Sequence, residues 1–416
     1  MSEWKKKQLQ EIAILKPTET LKKGDIAPNI PMANIKEFQR DVVKIDYGEF
    51  RGGTKFRNGD TLLAKITPCL ENGKTAFVNC LQEDEIGFGS TEFIVLRAKE
   101  NIDERFLYYL SISPEFRKQA ISLMEGTSGR KRVNENALKI SDFLIPDFEE
   151  QKKIANILSA IDDKISLNNQ INEELEAMAK TLYDYWFVQF DFPDENGKPY
   201  KSSGGKMVYN DQLKREIPEG WGVKRLGEIC NPTSGYPFAS NTYVQDGKFK
   251  IYTIKNVQDN GILPITDNTL DTLPANLPEK CILGPGDMLM SLTGNVGRVG
   301  IVFEDNALLN QRVLKIESKY KAFIFQFLKD PRTRSLLENT ATGTSQKNLS
   351  PKDVMDISII FPGFNVLIEF EQISNEILLQ ITSNNQQNQE LTQLRDWLLP
   401  MLMNGQVRVE DKTWKL

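Results

Sequence analysis

"ISLNNQINEEL" (165–175) and "ITSNNQQNQEL" (381–391) are the stretches on which the fold turns. At a constant offset of 216, Ile165, Asn168, Asn169, Gln170, Asn172, Glu174 and Leu175 recur as Ile381, Asn384, Asn385, Gln386, Asn388, Glu390 and Leu391. Around the first copy, Ile154, Leu158, Ile161, Ile165, Asn168, Asn172, Leu175, Ala179, Leu182 and Trp186 alternate four and three apart, the spacing of a heptad seam. The second seam runs Phe370, Ser374, Ile377, Ile381, Asn384, Asn388, Leu391, Arg395, Leu398 and Leu402. Ser374 and Arg395 interrupt it, with Ile373 and Leu394 beside them. Buried asparagines cost stability but fix register. Because the polar layer sits at the middle of each seam, antiparallel pairing would place Asn168 level with Asn388 and Asn172 level with Asn384. The spacing therefore predicts two long helices that pair, locked at the centre.

The repeat extends outward. "WKKKQLQEI" from Trp4 matches "WGVKRLGEI" from Trp221, and "FRNGDTLLAKIT" matches "LGPGDMLMSLT" through Gly59-Asp60 and Gly286-Asp287. "EGTSGRKRVNENALKISDFLIP" matches "TGTSQKNLSPKDVMDISIIFP", ending at Pro146 and Pro362. The unit is a globular module and then one helix, twice. Strand-like runs ("FIVLRA", "GIVFE", "ISIIFP") mix with helical ones ("DERFLYYLSISPEFRKQAISLM", "KAFIFQFLKDPRTRSLLEN"), which makes the modules α+β. The expected division is module 1–148, helix 149–190, linker 191–216, module 217–365, helix 366–403 and tail 404–416. The stretch "FPDENGKPYKSSGGKMVYNDQ" reads as an exposed linker.

The chain of 416 residues contains no histidine, which removes His-based nucleophile systems, His-ligated zinc and histidine acid–base catalysis. Cys69, Cys80, Cys230 and Cys281 form no C-x-x-C pair and read as reduced, buried thiols. No apolar run reaches a membrane span and no secretory signal opens the sequence, so a cytoplasmic protein is expected. Net charge is −5. The acidity lies on the helices, with eight Asp and Glu against four Lys in 149–190 and five against one Arg in 366–403. The modules are nearly balanced, which leaves room for a local DNA face.

The segments "EEQKKIANILSAIDDKISLNNQINEELEAMAKTLYDYWFVQFDF", "PDENGKPYKSSGGKMVYN", "REIPEGW" and "LRDWLLPMLMNGQV" resemble the specificity subunit of type I restriction–modification enzymes. The resemblance spans essentially the whole chain and is most specific at 149–221. It implies two tandem target-recognition domains, each binding one half of a bipartite site in double-stranded DNA through the major groove. It also implies an antiparallel helix pair with pseudo-two-fold symmetry, which sets the spacing and docks two modification subunits. Those subunits would hold S-adenosylmethionine and methylate adenine. Separate restriction subunits would supply ATP- and Mg-dependent translocation and cleavage, in the cytoplasm of a prokaryote. No catalytic, cofactor or metal residue is expected in this chain.

"GTSGRKR" (126–132) and "GTSQKN" (343–348) recur before the last strand of each module. Glycine amides, hydroxyls and cations together grip phosphates. Ser128, Arg130, Lys131, Arg132, Thr344, Ser345 and Lys347 are thus candidate backbone contacts. Arg57, Lys65, Lys74, Arg298, Asn310, Gln311 and Arg312 carry side chains suited to base edges. Asn168, Asn172, Asn384 and Asn388 are the register residues. "ENGKT" (71–75) has Pro68 where a P-loop needs glycine, and "GNVGRVG" (294–300) is not G-x-G-x-x-G. Asn231-Pro232 leads into Thr233-Ser234, not the Pro-aromatic pair of an amino-methyltransferase motif. A stand-alone DNA methyltransferase or nuclease therefore lacks its motifs. A coiled-coil scaffold binding only protein would leave the matched basic loops unexplained.

Overall fold

The computed structural model describes residues 4–409 except 128, 260, 265, 344 and 345. The chain forms two compact units, Met1–Leu167 with Asn388–Leu416, and Asn168–Gln387. The boundary cuts both long helices within the repeated asparagine segment. Each unit therefore holds one module, part of one helix and part of the other. The expected division ran along the chain, whereas the compact units divide across it.

The two modules share one topology. In the first unit one four-stranded sheet has the order Ala13–Leu15, Phe93–Ala98, Thr61–Ala64, Thr75–Phe77. In the second unit its counterpart is Asn231–Ser234, Val313–Glu317, Met288–Ser291, Val299–Ile301. A second four-stranded sheet in each has one parallel pair at its centre, Ile26–Ile30 with Gly87–Gly89 and Phe249–Tyr252 with Ala307–Leu309. The strand opening each module also closes it, Lys5–Gln8 on Asp142–Ile145 and Gly222–Arg225 on Ser358–Phe361.

The helical runs each break in two at a proline. Glu104–Ile112 and Pro114–Ser122 meet at Ser113, and Lys321–Lys329 and Pro331–Thr340 meet at Asp330. Proline has no N–H and pushes the residue before it to extended backbone. Ser113 and Asp330 use that conformation to cap the next helix, accepting from the amides of Phe116 (3.3 Å) and Arg332 (2.8 Å).

The long helices are Phe148–Tyr183, which continues through a π-helical turn Asp184–Val188, and Phe364–Met403. Asp147 caps the first at the Glu150 amide (2.9 Å). Within each unit the two helix portions run antiparallel. In the first, Ile154, Ala155 and Leu158 share a core with Leu399, Leu402 and Met403 and with Phe106, Phe116 and Phe143 of the module. In the second, Tyr183, Trp186 and Phe187 share a core with Leu367, Phe370 and Leu378 and with Phe323 and Phe361. Ser374 and Arg395 do not break the seam. Both are buried in it, while Ile373 and Leu394 beside them are exposed. Seam position, not side-chain polarity, decided which residue faces inward.

The expected linker is structured. Phe192 stacks on Tyr200 (4.6 Å between centroids) and on Trp221 (4.9 Å), and Met207–Asn210 pairs with Arg215–Pro218 as a hairpin. Three widely spaced aromatics supply a core that turn-rich composition conceals. Among the described residues no disulfide forms. Burial pushes the Cys230 thiol up to about 12, whereas Cys80 is exposed, against the expectation of buried thiols. No described helix is long and apolar enough to cross a membrane.

Candidate nucleic-acid interface

In both modules the basic loop docks on the strand that follows the Gly-Asp turn. In the first, the Thr67 amide donates to the Lys131 carbonyl (3.0 Å) and the Val133 amide to the Lys65 carbonyl (2.9 Å). In the second, the Gly294 amide donates to the Lys347 carbonyl (2.9 Å) and the Leu349 amide to the Leu292 carbonyl (2.8 Å). The register is the same, Lys131 answering to Lys347 and Lys65 to Leu292. A third segment joins them. Lys65 donates its amide to the Glu92 carbonyl (2.9 Å), and Leu292 donates its amide to the Arg312 carbonyl (3.0 Å). Each module thus gathers a strand end, a basic loop and the turn between its two sheets. Ser90, Thr91 and Glu92 stand where Asn310, Gln311 and Arg312 stand in the other copy.

The chemistry of the two edges differs. In the first, Arg132 makes a two-pronged ion pair with Glu92 (2.7 and 2.9 Å), which holds that carboxyl below its usual range. Lys65 pairs with Glu135 (3.3 Å). Arg130 and Lys131 are exposed and make no ion pair among the described residues. In the second, Arg312 and Gln311 are exposed and Arg312 likewise has no ion pair. The Lys347 ammonium donates to the Glu338 carbonyl (2.9 Å). Ser128, Thr344 and Ser345 lie outside the described residues.

Three candidates stand apart from these edges. Lys74 and Arg298 occupy matched positions, since the Ala64 amide reaches the Lys74 carbonyl (3.1 Å) and the Ser291 amide the Arg298 carbonyl (2.9 Å). Both turn their charge into the module. Lys74 donates to the Met32 carbonyl (3.2 Å), and Arg298 pairs with Asp259 (2.8 Å). Arg57 is exposed, 4.0 Å from Glu19. Reading the sequence did not single out Glu92. The offset between matched residues drifts from 227 at Gly59/Gly286 to 216 at Lys131/Lys347, so strand pairing was needed to align "STE" with "NQR".

The asparagine layer forms in the second unit. Asn384 donates to Asn172 (2.8 Å), as the antiparallel register required, and Asn172 donates to Asn385 (3.1 Å). Asn168 donates to Gln387 (2.8 Å), one residue from the expected level of Asn388. Sequence reading missed a second polar layer, in the first unit. There Asp162 accepts from Arg395 (2.9 Å) and from the Tyr109 hydroxyl (2.7 Å), all three buried. Burial and then the Asp162 charge push the Tyr109 hydroxyl far up, so it remains a donor. Burial alone would lower Arg395, but Asp162 and Asp396 raise it. The signal was Arg395 itself, a charge at a seam position.

A module repeated with its polar edge in register, on a paired-helix stem, defines a duplicated recognition protein. The family model described as the type I restriction modification DNA specificity domain matches residues 1–177 and again 218–393, and the chain belongs to that family. Membership makes it a non-catalytic specificity subunit that recognises DNA within a type I restriction–modification system. It is 27% identical over 407 residues to the HindI specificity subunit of Haemophilus influenzae, covering 84% of this chain and 87% of that one. It is 28% identical over 323 residues to the MjaIX specificity subunit of Methanocaldococcus jannaschii, covering 75% and 71%. In fold it is similar to the type I restriction-modification S subunit from M. genitalium, with a TM-score of 0.55 at 17% identity, covering 97% and 96%.

Proposed function

We propose that each module reads one half of a bipartite site in double-stranded DNA, and that the paired helices set the spacing between the halves. The observation that carries this reading is the matched docking of the two basic loops on their Gly-Asp strands. Arg130 and Lys131 grip phosphates beside the first half-site, and Lys347 beside the second. Gln311 and Arg312 offer the pairings suited to adenine and guanine. The helices also dock two modification subunits, which hold S-adenosylmethionine. Restriction subunits with ATP and Mg complete the complex, in the cytoplasm of a prokaryote.

Methylation mapping tests the reading. Replacing 1–148 with another recognition domain is expected to change one half-site and leave the other intact; a change in both would refute two independent readers. Adding one heptad after Asn168 and one after Asn384 lengthens each helix by about 10 Å while keeping the seam in phase. The half-sites are then expected to move apart by roughly three base pairs at ~3.4 Å per step. Unchanged spacing in an active complex would show that the helices are not the ruler.

A further inference from the structure

The asparagine layer sets the register of the helix pair without choosing its members. Both helices carry the same layer at an offset of 216. Laid antiparallel on the first helix of a second copy, a first helix would bring Asn168 level with Asn172, and two second helices would match Asn384 with Asn388. The apolar seam positions are mostly shared too. Asp162 and Arg395 are not. At the same offset their counterparts are Leu378 and Ala179, both buried.

We propose that Asp162, Arg395 and Tyr109 form a partner-selecting lock, which confines pairing to one first helix with one second helix and shuts out like-helix pairing with a second copy of the chain. In the observed arrangement Asp162 meets Arg395 at 2.9 Å. The same register assigns Leu378 to Ala179, apolar to apolar. Two first helices would instead set Asp162 against Ala179, leaving a buried carboxylate without its guanidinium. Two second helices would set Arg395 against Leu378, leaving it only the exposed Asp396. A buried charge stripped of its partner is strongly destabilising. Tyr109 adds the module to the choice. It comes from helix Glu104–Ile112, and its counterpart on Lys321–Lys329 is Gln326, which has no phenol to give.

The test uses full-length chains, unfolded and refolded, with mass read by light scattering. Asp162→Arg and Arg395→Asp each face like charges. Each is expected to lose on the order of 10 °C in Tm and to refold partly as dimers. The double reversal restores opposite charges and is expected to return to monomer with most of its Tm. Single reversals that refold as monomers, or a double reversal no better than the worse single, would overturn the lock. Should the single variants precipitate, their co-expression decides. Asp162→Arg in one chain and Arg395→Asp in the other complement across copies, so a soluble one-to-one complex supports the proposal. Two chains as insoluble together as apart would sink it.

Discussion

The two units solve one packing problem with different chemistry. Where helices and module meet in the first, Tyr109, Asp162 and Arg395 form a buried polar network. In the second, the corresponding residues are Gln326, Leu378 and Ala179. There the core is aromatic: Phe187 lies 4.8 Å from Phe370 and 4.7 Å from Phe323. Beside it a cavity of about 140 Å³ is lined by Gln326, Leu378, Ile381 and Thr382 among others. The smaller Gln326 stands there in place of a tyrosine. Topology and seam tolerate either solution, because each buries its residues at the same heptad positions. The polar solution is the more demanding, since every member needs its partner.

The largest expected effect lies in that network. Asp162→Ala leaves the buried Arg395 with only the exposed Asp396 and strips the Tyr109 hydroxyl of the carboxylate it donates to, and is expected to cost about 3–5 kcal/mol in a denaturant titration. Removing the network altogether, with the second unit's leucine and alanine as Asp162→Leu and Arg395→Ala and the hydroxyl deleted by Tyr109→Phe, should recover most of that loss. A triple variant as unstable as Asp162→Ala would show that the two solutions are not interchangeable.

The recognition edges carry the same contrast at the surface. Arg312→Ala removes an exposed guanidinium from the second edge, and is expected to cost about 1–3 kcal/mol at one position of one half-site. Binding assays on DNA varied in each half would detect this; an equal loss on all sequences would make Arg312 a phosphate contact. Arg130→Ala with Lys131→Ala should weaken binding to all sequences alike and shallow the salt dependence by up to about 2 in slope. An unchanged slope would remove them from the backbone.

The smallest effect belongs to Glu92 and Arg132. This pair lies at the surface, where solvent screens it, so its contribution to stability is small. The Glu92 pKa is depressed in the folded chain, by its hydrogen bond to Arg132 first. Its contribution is therefore present above the ordinary carboxylate range and lost as pH falls through the depressed value. Comparing wild type with Glu92→Gln across that range should show the difference vanish at low pH.

Much of this was legible in the chain. The heptad seam, the antiparallel register of Asn172 with Asn384, the duplication and the α+β modules follow from periodicity and repetition, which are local properties of sequence. What only the tertiary structure decided depends on contacts between distant segments. Glu92 came to Arg132 because strand pairing across drifting loop lengths set them side by side. Asp162 became a buried partner rather than a solvated acid because Arg395, 233 residues away, took a seam position opposite it. The aromatics of 192–221 gave order to a segment that stays mostly exposed, as its turn-rich composition suggested, but whose hairpin and stacked rings that composition did not show. Spacing tells which way a side chain points; whether a charge is solvated or locked depends on what the rest of the chain places in front of it.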